Sequence, residues 1–268
     1  MRKAARAVAI GLLALVALAA LAPQWWTSSA YDAQFRAAPD AAPSARFPLG
    51  TDALGRDRFS RLLYGTRVSL LLAPAAALLS CLVAAALGGL AGFAGGWTDR
   101  AIAAAGDLFL SLPWLFLLLI VRACLPLNVS PAASVTITFL LLGLLGWAAP
   151  ARIVRAAVKK LMASDFVFIA RARGCRPSRL LCRQLLPSVA PILLAQFCIA
   201  MPVYILTETT LGMLGLGIVE TLPSWGGLLR ELEGGSFAAQ PYLLAPAILL
   251  AAVIASLHLL LPREDFSI

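Results

Sequence analysis

The sequence predicts an all-α fold, a polytopic bundle of about six helices that cross a lipid bilayer. Of its 268 residues 61% are hydrophobic and only 13% are charged, whereas a typical soluble domain has roughly 25% charged residues. The mean hydropathy is +0.88. Four long runs carry no charged side chain: 68–98, 123–151, 184–207 and 234–262. Each run exceeds the roughly 20 residues that a helix needs to cross the hydrocarbon core.

The first predicted span is 7–26, which follows a basic start. Trp25 and Trp26 at its end are typical of an interfacial aromatic anchor. A signal peptide cleaved after Ala22 is the alternative interpretation. We favour a retained span, because Pro23 would directly follow the cut.

The longest segment predicted to lie outside the membrane is 27–67, which carries both signs of charge. In its second half, "FPLGTDALGRDRFSRLLYGTRVSL", Gly50 and Gly55 indicate turns. Asp52 or Asp57 is suited to cap a short helix that begins near residue 57. We expect this helix to be amphipathic, to lie at the outer surface and to run into the second span.

The third predicted span, 101–121, is interrupted only by Asp107. A charge inside a membrane helix normally has a partner or contacts water. Arg100 is a candidate partner, and a structural role is as plausible as a role in transport. The remaining spans are expected at 134–151, 188–207 and 241–261.

Glycines interrupt the apolar segment between the last two spans, "ETTLGMLGLGIVETLPSWGGLLRELEGG". Because its apolar run is too short to span, we expect an outer segment that is partly re-entrant or lies at the surface.

The basic residues cluster in the segment 152–187, which contains nine of them against the single acid Asp165. Segments this basic beside membrane spans remain in the cytoplasm, so the net charge of +9 indicates topology rather than nucleic-acid binding. Six spans then place both termini in the cytoplasm. The predicted organisation is 1–67 for the first span with the outer loop, 68–262 for the membrane core, and 263–268 for a short cytoplasmic tail.

Within this basic segment the pattern predicts two short helices joined at a glycine bend. The first covers 165–173, and Gly174 can adopt the left-handed conformation that ends a helix. Pro177 suits the first turn of the second helix, and Pro187 marks the entry to the next span. The first helix carries three large apolar side chains: Phe166, Phe168 and Ile169. Exposed apolar residues beside charges indicate a surface for a protein partner.

The stretch from Asp165 to Pro187 resembles the EAA loop of ABC importer permeases, which inserts a coupling helix into an ATPase subunit. Other segments agree, among them "LGTDALGRD" and "LGLG" followed by "PSWG". Over residues 47–246 the chain is similar to the C-type permease subunit of the dipeptide, oligopeptide and nickel importer family. The Glu-Ala-Ala triplet falls on Phe168, Ile169 and Ala170, so its acid is missing, and Arg173 replaces the usual leucine.

The resemblance implies a permease subunit of an ATP-driven importer in the bacterial cytoplasmic membrane. Its implied partners are a second homologous permease, two cytoplasmic ABC ATPases, an extracytoplasmic solute-binding protein and the lipid bilayer, with no nucleic acid. The resemblance also implies that the chain is not an enzyme and binds no cofactor or metal, with ATP and Mg²⁺ held by the ATPases. The solute stays open between a dipeptide, an oligopeptide, nickel and another small solute.

The resemblance also implies roles for three groups of residues. The ATPase-coupling residues are Asp165, Phe168, Ile169, Ala170, Arg171, Gly174, Leu186 and Pro187. The residues expected to shape the outer loop are Gly50, Thr51, Asp52, Gly55, Arg56 and Asp57. The residues expected near the outer end of the solute pathway are Glu208, Ser224, Trp225 and Gly226, for which a structural duty is equally plausible.

Two other classes of function are weaker alternatives. An ion-coupled secondary transporter would use intramembrane charges and two related halves, but such charges are sparse here. A membrane-embedded enzyme would need a cluster of polar catalytic side chains, and the chain has one histidine. No glycine is followed by lysine, so the chain has no phosphate-binding P-loop of its own.

Overall fold

The computed structural model describes residues 2–124, 129–180, 184–218, 222–231 and 240–261. Its helices are α1 (Arg2–Leu21), α2 (Arg58–Ala94), α3 (Gly96–Ser111), α4 (Trp114–Ala123), α5 (Pro131–Leu145), α6 (Ala148–Met162), α7 (Asp165–Ala172), α8 (Pro177–Leu180), α9 (Leu186–Met213), α10 (Trp225–Arg230) and α11 (Ala245–Leu260). Over these ranges there is no strand, only the isolated bridges Gln34–Arg56 and Thr51–Asp57. The predicted tail 263–268 and residues 181–183 of the basic segment lie outside the described residues.

The number of membrane spans agrees with the prediction. Five helical segments are long and apolar enough to cross a bilayer: Lys3–Leu21, Arg58–Ala94, Pro131–Met162, Leu186–Met213 and Pro241–Leu260. The pair α3 and α4 forms a sixth if it is counted as one span bent by 89°. The all-α polytopic bundle is therefore confirmed for the described part of the chain.

The third span is bent, where the sequence analysis expected one helix over 101–121. α3 stops at Ser111, and Leu112 has extended backbone angles (φ −91°, ψ 136°). Pro113 explains the break, because its ring disfavours the helical conformation of the preceding residue. α4 then begins at Trp114.

The helix predicted to begin near residue 57 and to run into the second span is present, but its first turns are buried rather than lying at the outer surface. α2 is one helix of 37 residues from Arg58 to Ala94. Its first turns are buried, with Ser60 and Thr66 fully inaccessible. The predicted cap is correct, because Asp57 Oδ1 accepts a hydrogen bond from the Phe59 N–H at 3.1 Å.

The fourth span continues into the basic segment. α5 ends at Leu145 and α6 begins at Ala148, so helical chain extends well beyond the predicted end at residue 151. The buried face of α6 repeats every three to four residues: Ala148, Ala151, Val154 and Val158. Arg152, Arg155, Lys159 and Lys160 occupy its other faces, so these charges lie on a helix rather than in a loop.

The described residues form two compact units. The first unit contains those of Met1–Ala73, Arg122–Phe139 and Pro202–Ile268, and the second contains those of Pro74–Val121 and Leu140–Met201.

In the first unit α1 packs along α11. The buried side chains of α1 lie on one helical face: Ala9, Val16 and Ala20. The segment before α11 was expected to be partly re-entrant or to lie at the surface, and the second alternative does not hold for α10, because Trp225 at its start is fully buried. Gly226 permits this burial, since a Cβ at that position would lie 2.6 Å from the Thr209 carbonyl oxygen of α9.

In the second unit the inner part of α2 lies against α6. A Cβ at Gly88 would lie 3.1 Å from the Ala151 Cα, and a Cβ at Gly92 would lie 2.7 Å from the Val158 Cβ. One apolar cluster then joins four helices of this unit: Val154, Val158, Val167, Leu180, Leu185 and Val189. Small residues allow close helix packing without requiring polar contacts in the bilayer.

The close approach of α2 and α6 predicts that a side chain at Gly88 destabilises the chain, and Gly89 next to it provides the control variant. Gly88→Ala places a methyl group against the Ala151 backbone, which cannot rotate away, whereas Gly89→Ala meets no atom within 4 Å. We expect Gly88→Ala to lower the unfolding free energy by about 1–3 kcal/mol and Gly89→Ala to leave it unchanged or slightly raised. Thermal unfolding in detergent measures both, and equal midpoints for the two variants would contradict this packing.

Candidate functional site

The predicted coupling helix is present as α7, and it separates a buried anchor from an exposed apolar surface. Val167 is 1% exposed and belongs to the apolar cluster with Val154 and Val158 of α6. Phe168 is 74% exposed, and Phe166 and Ile169 are 42% and 49% exposed. We call these three exposed side chains the docking face. The buried face of α7 therefore packs against α6 while the docking face remains available to a partner.

Backbone hydrogen bonds define both ends of α7. Residues 163–164 form the turn after α6, and the Val167 N–H donates to the Ser164 carbonyl oxygen at 3.1 Å. Asp165 lies in the first turn, where its charge is favourable to the helix dipole. At the other end the Cys175 N–H donates to the Ala170 carbonyl oxygen at 3.0 Å. Gly174 has φ +74°, so it ends the helix in the left-handed conformation that was predicted.

The remaining coupling residues lie where the sequence placed them. Arg171 is on α7, and Ala170 packs partly against the apolar cluster. α8 begins at Pro177. Leu186 and Pro187 form the first turn of α9, and both are exposed.

Asp99 forms ion pairs with α6, the helix that precedes α7. The sequence analysis did not identify Asp99. Arg155 of α6 donates two hydrogen bonds to the Asp99 carboxylate, the one from Nη2 at 2.9 Å, and Lys159 Nζ donates at 2.6 Å. Asp99 is in the first turn of α3, so these ion pairs connect α3 to the helix that leads into α7. The available signal was an acid in the "GGWTDR" turn, 56 residues before its main partner.

Asp107 has a different partner from the one expected. Its Oδ1 lies 3.9 Å from Arg152 Nη1, so the ion pair is with α6 rather than with Arg100. Both side chains are about two-thirds exposed.

The predicted outer-loop residues form a tight, buried turn in the first unit. Asp52 Oδ1 accepts hydrogen bonds from the backbone N–H groups of Leu54 at 3.0 Å and Arg56 at 2.8 Å. The Arg56 Nε donates to the other oxygen at 2.6 Å. Thr51 donates from its hydroxyl to the Ala38 carbonyl oxygen at 2.6 Å. These bonds explain why so polar a turn is inaccessible to solvent.

Gly50 and Gly55 are required by the backbone of this turn. Their φ angles are +69° and +73°, a region that other residues rarely adopt. A Cβ would also collide with the carbonyl oxygen of Ala41 at the first position and of Phe35 at the second.

Glu231 completes a charge network beside this turn, and the sequence analysis missed it. Its Oε2 is 3.2 Å from Arg58 Nη1, and its Oε1 is 3.4 Å from Arg61 Nη2. Arg61 is 2% exposed and also lies 3.7 Å from Asp52 Oδ2. Burial raises the pKa of Glu231 above its ordinary value, while the charges of Arg61 and Arg58 act in the opposite direction.

Asp57 is buried at the same turn. Burial raises the pKa of its carboxyl group, although the Phe59 N–H and the Ser29 hydroxyl both donate to it and favour the charged form. Asp57 has two structural roles: it caps α2, and it pairs with Thr51 in a β-bridge.

The four residues expected near the outer pathway surround one buried polar cluster in the first unit. Trp225 Nε1 donates to the Thr66 hydroxyl at 3.0 Å, and the Ser69 hydroxyl is 3.5 Å from Glu208 Oε2. Ser224 caps α10 by accepting from the Gly227 N–H at 3.2 Å. Glu208, Ser224 and Trp225 are 0–2% exposed. Ser224 and Trp225 thus make hydrogen bonds to protein groups in this conformation.

Over the described ranges, no group of three or more His, Cys, Asp or Glu side chains is placed to hold a metal ion. Three basic side chains of α6, those of Arg152, Arg155 and Lys159, pair with acids of α3.

Comparison with known proteins identifies the same branch that the motifs indicated. The family model "Binding-protein-dependent transport system inner membrane component" matches residues 84–263. Over 193 residues the chain is 34% identical to the oligopeptide transport system permease protein OppC of Bacillus subtilis, covering 72% of this chain and 61% of that protein. It is 32% identical to the dipeptide transport system permease protein DppC of the same organism, covering 70% of this chain and 57% of that protein.

A third relative is aligned over more of its length. The nickel transport system permease protein NikC of Escherichia coli is 34% identical over 226 residues, which cover 84% of this chain and 79% of that protein. The chain thus spans less than two thirds of the length of the first two relatives and more of the third.

The ion pairs of Asp99 make a second prediction. Asp99→Asn removes the charge that neutralises Arg155 and Lys159, so we expect it to lower the thermal unfolding midpoint of the chain in detergent. Asp107→Asn is the matched control on the same helix, because an exposed pair at 3.9 Å contributes about 0–1 kcal/mol. The interpretation of Asp99 as a connection between α3 and α6 is wrong if both variants unfold at the same temperature.

The network of Glu231 makes a third prediction. Glu231→Ala leaves the buried Arg61 without one of its two carboxylates, and we expect a loss of about 3 kcal/mol in unfolding free energy. In an Arg61→Met background the same change should cost less, since only the pair with the partly exposed Arg58 is then lost. A double-mutant cycle in detergent measures the coupling, and additive effects would show that the two charges do not interact.

Proposed function

The chain belongs to the family of binding-protein-dependent transport system inner membrane components, and from that membership we propose that it is a permease subunit of an ATP-driven importer. With a second permease it forms the pathway for a peptide or a related small solute, nickel included. A solute-binding protein delivers the solute from outside, and two ATPases drive its passage. The names of OppC, DppC and NikC support these solute classes.

The observation that carries the proposal is the docking face of α7. Three large apolar side chains are exposed on a short helix whose neighbour Val167 is fully buried. Basic side chains follow directly at residues 171, 173 and 176. An apolar surface beside such charges is unfavourable in water and is suited to a groove in a protein partner.

The contacts of the second unit support transmission of a movement from this surface. Val167 connects α7 to α6, and Asp99 connects α6 to α3. Gly88 allows α2 to contact α6 through its backbone. When an ATPase moves α7, we expect these helices to follow as one body and the pathway to alternate between its inward-facing and outward-facing states.

Two features of the sequence bear on the expected ATPase partner: the chain has no ATP-binding motif, and the acid of the Glu-Ala-Ala triplet is missing. Because the sequence has no P-loop, ATP and Mg²⁺ are assigned to the ATPases, and this chain binds no cofactor in the scheme. Phe168 and Ile169 occupy the first two positions of the Glu-Ala-Ala triplet. We therefore expect the contact with the ATPase to be more apolar than one made through an acid.

The orientation follows from the charges. The basic segment 152–187 remains in the cytoplasm, and both termini lie on that side of the bacterial cytoplasmic membrane. The turn at 50–57 then faces outward, and its exposed residues Ala53 and Leu54 lie where the binding protein and the second permease are expected to contact the chain.

Copurification tests the proposal. The tagged chain is co-expressed with a pair of ABC ATPases from the same genome and purified in detergent. We expect the wild type to retain the ATPases, and Phe168→Asp to reduce the retained amount about tenfold, since it places a charge in an apolar contact. Gly174→Pro should have a similar effect, because proline cannot adopt a φ of +74°.

Ala163→Asp is the matched control, since it adds the same charge at an exposed residue before α7. It should retain the ATPases, and all variants should elute as monodisperse protein in size-exclusion chromatography. If the wild type retains no ATPase, or if Phe168→Asp retains as much as the wild type, the basic segment serves topology alone and an ion-coupled transporter becomes the better interpretation.

A further inference from the structure

The groove between α3 and α6 combines an apolar floor with two opposite charges. Most of its lining is apolar, and its charged members are Asp107, Arg152 and Arg155. Arg155 is hydrogen-bonded to Asp99. Arg152 and Asp107 approach each other only to 3.9 Å, which is too far for a hydrogen bond, and both are about two-thirds exposed. The groove therefore presents an exposed cation and an exposed anion beside an apolar surface.

These two charges lie at a boundary of the hydrocarbon core. The helical segment Pro131–Met162 is apolar enough to cross a bilayer, and Arg152 follows its first residue by 21 positions. At the helical rise this is about 32 Å, close to the roughly 30 Å thickness of the core. Asp107 contacts Arg152 and so lies at the same level. Trp147 and Ala148, one turn nearer the start of the segment, then lie at the level of the acyl chains.

The surface around the groove is suited to lipid. Leu108 on α3 and Ile153 on α6 are exposed beside it, and Leu110 in its lining is also exposed. Gly106 keeps the floor of the groove low, since a Cβ there would lie 3.9 Å from the Trp147 ring. Water is a poor occupant of so apolar a lining, whereas a lipid tail is as apolar as these side chains.

The two charges match the headgroup of phosphatidylethanolamine. A guanidinium group donates strong hydrogen bonds to phosphate oxygens, and a carboxylate accepts them from an ammonium group. Phosphatidylethanolamine carries a phosphate and a primary ammonium group joined by a short ethylene linker. An anionic headgroup would place its phosphate beside Asp107 without a compensating cation. A choline headgroup has no N–H group to donate.

We propose that the groove between α3 and α6 binds one molecule of phosphatidylethanolamine. Its phosphate accepts hydrogen bonds from Arg152, its ammonium group donates to Asp107, and one acyl chain lies along Gly106 and Trp147. This assignment gives Asp107, a costly charge in a membrane segment, a partner on its exposed side. The proposal does not depend on the importer function, because it requires only these two helices and a membrane.

Native mass spectrometry of the full chain in detergent tests the proposal. Three phospholipids with identical acyl chains are added in turn: phosphatidylethanolamine, phosphatidylcholine and phosphatidylglycerol. We expect the first to bind about tenfold more tightly than the other two, since neither of these offers an ammonium N–H to Asp107. Equal affinities for the three lipids, or tightest binding of phosphatidylglycerol, would overturn the proposal.

Two substitutions separate the roles of the charges. Asp107→Asn should reduce the preference for phosphatidylethanolamine over phosphatidylcholine to about twofold or less. Arg152→Gln should weaken the binding of all three lipids, because the donor to the phosphate is lost. Lys160→Gln is its matched control, exposed on the same helix outside the groove, and should bind like the wild type. A full preference in Asp107→Asn would contradict the assigned headgroup position.

Gly106→Leu tests the position of the acyl chain. It fills the floor of the groove, so we expect it to weaken each lipid about tenfold. Ala105→Leu is the matched control, because residue 105 is exposed and outside the lining. Equal affinities of the two variants would overturn the proposal. Thermal unfolding before lipid is added shows whether each variant is folded, and Asp107→Asn remains decisive if Gly106→Leu is not.

The assembled complex distinguishes lipid from protein as the occupant. We expect the chain copurified with its partner subunits to retain the preference for phosphatidylethanolamine. Loss of the preference in the complex would overturn the proposal, since the second permease would then cover the groove. Failure of the ATPases to copurify would instead contradict the importer and leave the lipid affinity of the full chain unchanged, so the two failures are distinguishable.

Discussion

The ion pairs of Asp99 with Arg155 and Lys159 fix α6 against α3, and α6 leads into α7, which carries the docking face. α6 leads into α7 through a short turn, so the direction of the docking face depends on how α6 is fixed. Its apolar side packs in the cluster that includes Val158 and Val167, and its basic side is neutralised by α3. Without the charge of Asp99, Arg155 and Lys159 would lie against α3 without this neutralising partner.

In the first unit a second group of buried charges also fixes the position of a helix, in this case the start of α2. The turn at 50–57 is polar, yet Asp52 accepts from two backbone N–H groups and from Arg56, so its burial leaves few unpaired groups. Glu231 adds the contacts to Arg58 and Arg61. In each unit, therefore, paired charges help to fix the position of a helix: Asp99 pairs with α6, and Glu231 pairs with α2.

These constraints explain how an exposed docking face is compatible with a stable chain. Three apolar side chains on α7 remain accessible because the helix is anchored through its other face, by Val167 and in part by Ala170, and Gly174 ends it in open space. The substitution of the usual acid by Phe168 then changes the chemistry of the expected ATPase contact without changing the helix.

The sequence by itself determined the membrane bundle, the cap at Asp57, the left-handed Gly174 and the exposed Phe168, because hydropathy, capping and φ preferences are local properties. Tertiary structure alone decided that the first turns of α2 are buried, that Trp225 is buried, and that Asp99 and Glu231 pair with α6 and α2. The partners of these acids are 56–173 residues distant in sequence. Such pairs depend on which helix faces pack together, and no local pattern in the chain records that choice.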